Sequence, residues 1–183
     1  MSVTIAEPPL AAHRGTFADP ATDFSDGLKV IDAYHRGFLA YGQRLLLLAD
    51  GLCEHGVDAA RSREAAALAC YYDQATRLHH RDEERALFPL IVNRSFLIDG
   101  MIERLALDHE ELENLWVALA GGLGGLGTIT DRGEWRERVR RFERQLRTHI
   151  EREDMDFFPE VANLLPMERR STLGRRMAAL RRA

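Results

Sequence analysis

Residues 79–89 read HHRDEERALFP, and residues 149–159 read HIEREDMDFFP. The two stretches align without a gap, His79 on His149, Glu83 on Glu153, Phe88 on Phe158 and Pro89 on Pro159. A histidine and a glutamate four residues apart project from one face of an α-helix, about one turn from each other, so each stretch offers an imidazole and a carboxylate side by side. The neighbouring apolar residues say where that face points. Trp135, Val139, Phe142, Leu146, His149, Glu153 and Phe157 step by threes and fours along one seam, and Leu68, Tyr72, Ala75, His79 and Glu83 share a face in the same way. Each polar pair therefore stands where a buried helix carries core residues.

Two more helical patterns flank these. One starts at Ser25 or Asp26, residue types that cap helix N-termini, and carries Leu28, Ile31, Phe38, Leu45, Leu48 and Leu52, with His35 on the same stripe. Gly51 and Gly56 in DGLCEHG (50–56) are expected to end it. The second helix is expected over residues 59–88, where Pro89 kinks or ends it. NRSFLIDG (93–100) reads as connection, and a third helix over about 99–120 turns Ile102, Leu105, His109, Leu112, Glu113 and Trp116 inward before stopping at GGLGGLG (121–127). That run spells the G-x-G-x-x-G of a dinucleotide-binding turn at Gly122, Gly124 and Gly127. The fingerprint needs a strand before it and a helix after it, whereas a helix precedes it here, so an interhelical loop is the better reading. Four long amphipathic helices with short connections predict an all-α, antiparallel up-down four-helix bundle over residues 26–165. An irregular N-terminal arm (1–25) precedes it and a short C-terminal helix (166–183) follows it.

In such a bundle His35, His79, His109 and His149 fall at mid-helix and meet at one level, accompanied by Glu83 and Glu153. The duplication reaches beyond them: Asn93 matches Asn163 at the same offset, and His35 and His109 stand 74 residues apart, which predicts two similar helical hairpins about a pseudo-twofold axis. Two carboxylates in an apolar core repel each other and lose hydration; a pair of divalent cations cancels that charge and uses the imidazole nitrogens as well. Two bridging glutamates and two histidines per ion leave coordination positions open. Mixed nitrogen and oxygen donors suit iron or manganese, with zinc a further candidate, and the absence of cysteine from the set disfavours a structural zinc site. Glu113, four residues after His109, faces the same way and is expected either to ligate or to accept a hydrogen bond that orients an imidazole. His80 lies about 100° around the helix from the seam and reads as a surface residue able at most to support a ligand, as do His13 and His55 in irregular segments as surface groups. Glu84, Glu110, Glu111 and Glu151 read as solvated for the same reason of phase.

Composition narrows the function classes. A net charge of −4 over 183 residues argues against a nucleic-acid surface. The longest apolar run, LLLLA at 45–49, is far too short for a membrane span, and the basic end RRSTLGRRMAALRRA reads as the solvated face of a terminal helix. No secretory leader pattern opens the chain, so a cytoplasmic protein is expected, with Cys53 and Cys70 as small buried hydrophobes.

The doubled H-x-x-x-E followed by L/F-F-P, with single His35 before it and DHEEL (108–112) between, resembles the hemerythrin-like family of HHE cation-binding domains over about residues 26–165. The resemblance implies a non-haem centre of two iron ions, with His35 and His79 on one, His109 and His149 on the other, and Glu83 and Glu153 bridging. The oxygen-carrying hemerythrins use H-x-x-x-H on the third helix and H-x-x-x-x-D on the fourth; here Glu113 replaces that second histidine and Glu153 stands at a spacing of four. The departure disfavours simple oxygen carriage. It favours a bacterial-type protein that binds or senses a small diatomic partner, O2 or NO, or a related oxidant. A redox enzyme turning over peroxide or NO, an iron-handling or iron-donor protein, and homodimer formation are left open.

Overall fold

The computed structural model of the chain describes residues 17–182. Side-chain caps set where the long helices begin. Asp26 accepts the Leu28 N–H at the head of α1 (Gly27–His55), and Asp58 accepts the Arg61 N–H at the head of α2 (Ala59–Arg81). A four-residue helix α3 (Phe88–Ile91) follows, then α4 (Phe96–Gly124), capped by Ser95, and α5 (Arg132–Arg152), capped by Asp131. Each such cap contributes about 1 kcal/mol by satisfying a donor the helix cannot. Two short helices, α6 (Phe158–Leu164) and α7 (Met167–Leu180), close the chain. No strand occurs among the described residues, and none of the helices is long and apolar enough to cross a membrane.

Cross-helix bonds give the topology. Arg44 on α1 pairs with Glu64 on α2, Trp116 on α4 donates to Asp73 on α2, Gln145 on α5 donates to Glu111 on α4, and Cys53 near the end of α1 meets Arg132 at the start of α5. Each neighbouring pair runs antiparallel, and α1 touches α2 and α5 while α4 touches the same two. The result is an up-down four-helix bundle with its core along the four apolar stripes.

Four departures from the sequence expectation have physical causes. The second helix does not stay α-helical to Leu87. It widens into a π-turn at Asp82–Leu87, where the Phe88 N–H bonds Glu83 O, and the same happens at Glu153–Phe157, where the Phe158 N–H bonds Glu153 O. Pro89 and Pro159 each lie two residues beyond the turn, and a proline ring clashes with the carbonyl four residues back, so a wider turn relieves the crowding. Capped by Ser95, α4 starts at Phe96, three residues before 99 and within the segment read as connection. The same helix continues through Gly122 to Gly124, because Gly122 lies under the Trp135 indole: a Cβ there would sit 2.4 Å from its Nε1. Gly51 stays helical, and α1 stops only at Gly56, whose φ of 76° is left-handed.

Residues 17–25 are irregular, as expected of the arm, and 1–16, with His13, lie outside the described residues. Helix α7 packs on α1 and on the first π-turn. The approach is close at Gly174, where a Cβ would stand 2.1 Å from the Phe24 carbonyl oxygen. Cys53 and Cys70 are half-buried rather than buried.

Candidate metal centre

The four seam histidines and two glutamates meet inside the bundle, each at most 2% exposed. Their donor atoms form two groups, each within 4.8 Å: His35, His79, Glu83 and Glu153, and Glu83, His109, His149 and Glu153. Both glutamates belong to both groups. From the shared carboxylates, Glu153 Oε2 lies 3.0 Å from His35 Nε2 and 3.3 Å from His149 Nε2, while Glu83 Oε2 lies 3.1 Å from His109 Nε2 and 3.7 Å from His79 Nε2. Despite these short separations the Nε2 atoms of all four histidines and both oxygens of each glutamate lack hydrogen-bond geometry. These polar atoms crowd together without satisfying one another.

The outer ring nitrogens of His35 and His109 are held by groups that sequence phase misplaced or missed. Nδ1 of His109 donates to Glu84 at 2.8 Å, and Nδ1 of His35 donates to Asp154 at 2.9 Å. An ionised carboxylate only accepts, so each ring carries its hydrogen on Nδ1 and turns Nε2 inward. Glu84 keeps a 46% exposed side chain, as solvated residues do, yet grips His109 with its tip. Asp154 was not singled out by the sequence; its signal was its place in the repeat, directly after Glu153 as Glu84 follows Glu83. Asp108, also missed, is buried with its Oδ2 3.6 Å from His149 Nδ1 and is paired with Arg152 and Arg104.

His80 is not a surface residue. It is 4% exposed, sandwiched where α2 meets α4, and its ring stacks on His109 at 3.9 Å and 9°. Helix phase counted its angle from the seam but not the neighbour waiting on that side. His80, His109 and His149 also offer donor atoms within 4.8 Å. Parallel stacked rings cannot both aim in-plane lone pairs at one ion, so His80 buttresses His109. Glu113 joins neither group: its side chain is 60% exposed and its Oε1 lies 3.4 Å from His80 Nδ1. His55, Glu110 and Glu151 are exposed as expected, and Glu111 is half-buried.

The electrostatics of the bare protein show how much charge is gathered here. Burial disfavours a charged His35, but Asp154 and Glu153 outweigh it and raise its pKa to about 10. Burial likewise opposes His109, which Glu83 and Glu84 lift to about 10. Burial holds His79 and His80 well below the usual histidine range. Burial penalises both carboxylates, yet the surrounding imidazoles, His79 foremost, hold Glu83 well below its ordinary value. Glu153 is raised by burial and by the nearby Glu83 charge.

The sequence profile of the hemerythrin HHE cation-binding domain matches residues 26–161. The chain belongs to that family. It is also similar to an uncharacterized protein of Haemophilus influenzae, 29% identical over 97 residues, which is 53% of this chain and 56% of that one. The chain thus spans about half the length of the curated relative it matches. No solved structure matches it.

The residues present fit the cation that a hemerythrin HHE domain binds. Buried polar atoms in folded proteins are nearly always satisfied, and an orphaned set this dense calls for an explanation. Imidazole nitrogens and carboxylate oxygens at contact distance, with the outer nitrogens of His35 and His109 already anchored, are a preorganised donor set for a hard or borderline divalent ion.

Proposed function

We propose that this hemerythrin-like chain is a non-haem di-iron protein that binds or senses O2, NO or a related small oxidant. His35 and His79 would hold one iron, His109 and His149 the other, with Glu83 and Glu153 bridging. Manganese or zinc would fit the same donors less distinctively. The observation that carries this reading is the sharing of both glutamates between two compact groups whose inner donor atoms have no other partner.

Four protein donors per ion fall short of the six that iron commonly takes, so each ion would keep room for a small ligand. The walls around the groups are aromatic: Phe158 lies 5.7 Å from the His35 ring, Phe88 6.2 Å from His109, and Phe38 5.2 Å from His79. Such a lining suits small neutral molecules and disfavours charged or bulky substrates. Two divalent cations would balance the glutamate charges, which in the bare site only the neighbouring histidines offset.

Anaerobic loading with ferrous iron, desalting and metal analysis tests the first half of the reading, and the expected result is about two irons per chain, as in other di-iron carboxylate bundles. Admission of O2 or NO to the loaded protein should then change its near-ultraviolet and visible bands. A protein that retains no iron refutes the centre, and a loaded protein whose spectrum ignores both gases refutes the gas-binding role.

A further inference from the structure

The two halves of the repeat differ where the histidines' outer nitrogens are supported. In the second half, Asp108 stands directly before His109 and its carboxylate lies beside His149, with Oδ2 at 3.6 Å from Nδ1, close to that nitrogen though longer than a hydrogen bond. Arg152 and Arg104 fix that carboxylate in place. In the first half, the residue before His35 is Tyr34, and among the described residues no carboxylate lies within 4.0 Å of His79 Nδ1, which is buried and, like His149 Nδ1, has no hydrogen-bond partner. Tyr34 instead lays its ring on His79, centroids 5.7 Å apart and 20° between planes. The position equivalent to Arg152 is Asp82, another acid. Tyr34 and Asp82 cannot form the acid–base pair that Asp108 and Arg152 form.

A residue from outside the bundle fills the gap. Arg181, at the end of α7, donates to both Asp82 oxygens at 2.6 and 2.7 Å, to Asp19 at 2.9 Å and to the Tyr34 hydroxyl at 3.1 Å. The same hydroxyl donates to Asp19 at 2.7 Å, and Arg81 binds the Leu180 carbonyl at 3.0 Å. Asp82 is the residue before Glu83 in the first π-turn, and Tyr34 is the ring that backs His79. Arg181 therefore fixes both the turn that carries one bridging glutamate and the plate against which His79 leans. Glycines at 27 and 174 let α7 approach closely enough to deliver it: Cβ atoms there would meet Leu173 at 2.3 Å and the Phe24 carbonyl oxygen at 2.1 Å.

Resting on the di-iron reading, we infer that the two metal positions are unequal: the His109/His149 position, backed by the Asp108 carboxylate, fills first, while the His35/His79 position fills second and depends on Arg181 as a positioning residue. A carboxylate on the outer nitrogen raises the basicity of an imidazole ligand and locks its tautomer; a stacked phenol ring does neither.

Anaerobic titration with ferrous iron, followed by calorimetry and Mössbauer spectra of the loaded protein, tests the inference on the full chain. The wild type should show two resolved binding steps and two distinct iron environments. Arg181→Gln should weaken the second step by about 10–100-fold and leave the first in place, and Asp108→Asn should weaken the first by a similar factor, the usual effect of losing such a support. Arg181→Lys, which keeps charge but not the forked contact, should recover part of the second step. Circular dichroism of each metal-free variant separates a lost fold from a lost site: a merely structural Arg181 would lower stability while both steps fell together. Two identical steps in the wild type, or a variant that shifts both steps equally, overturns the inference. No uptake at all overturns the di-iron reading beneath it.

Discussion

A glutamate proposed to bridge two ions and a histidine proposed to hold one make different demands on the centre, and single substitutions can tell them apart. Glu153 lies in both donor groups, so Glu153→Gln, which keeps size and removes charge, should weaken binding at both positions by roughly 100-fold or more, beyond the 10–100-fold typical of losing a supporting residue. His35 lies in one group, so His35→Ala should halve the retained metal. Metal analysis after desalting separates the two, and equal losses would contradict a shared bridge. Protons offer a second reading at this scale. With pKa values of about 10, His35 and His109 are protonated at neutral pH in the bare protein, and a metal takes only the neutral ring. Loading must expel those protons, so affinity should rise as pH climbs toward 10 and level off above it. Calorimetry at pH 7 in two buffers of different ionisation enthalpy should count about two protons released per chain loaded. Loading with no proton release would mean the rings are neutral beforehand.

The elements show which kinds of information a sequence carries openly. Asp26 marks a helix start by residue type, and the three-and-four stepping of the stripes marks the faces, so the bundle and its six inward polar side chains were legible. Periodicity does not distinguish an α-turn from a π-turn, and the widening before Pro89 and Pro159 went unread although the proline itself was visible. Phase also fails for residues that reach around a helix: Glu84 and Asp154 are half in water and still hold His109 and His35, while His80 is buried by a neighbouring helix that no single-helix pattern contains. The glycine run misled in the other direction. Gly122 is a site of close approach inside α4, where the Trp135 indole also donates to the Leu119 carbonyl at 3.3 Å. Gly122→Ala should therefore destabilise the bundle by about 1–3 kcal/mol, the usual cost of overpacking, despite alanine's better helix propensity. Gly121→Ala, with open space around its Cβ, should be neutral or stabilising. Urea unfolding of the two variants side by side decides whether packing or propensity governs this stretch.

For the molecule as a whole, the centre joins all four long helices, since His35, His79, His109 and His149 come one from each. Ions held there tie the folded chain together and have no preformed site in the unfolded one, so binding free energy adds to folding free energy. With metal at 1,000 times its dissociation constant the added stability is about 4 kcal/mol. For a domain of this size each kcal/mol moves the melting temperature by roughly 2–4 °C, so chelation should lower it by on the order of 10 °C. The bare protein is not left with naked opposing charges, because protonated His35 and His109 stand against Glu83 and Glu153. That compensation is why the helical bundle should survive chelation and melt cooperatively at the lower temperature, rather than unfold outright as a zinc finger does. A thermal melt followed at the helical circular-dichroism band, with and without chelator and then with iron restored, reads both outcomes. A melting temperature indifferent to chelator and iron would mean that the buried histidines and glutamates serve packing alone.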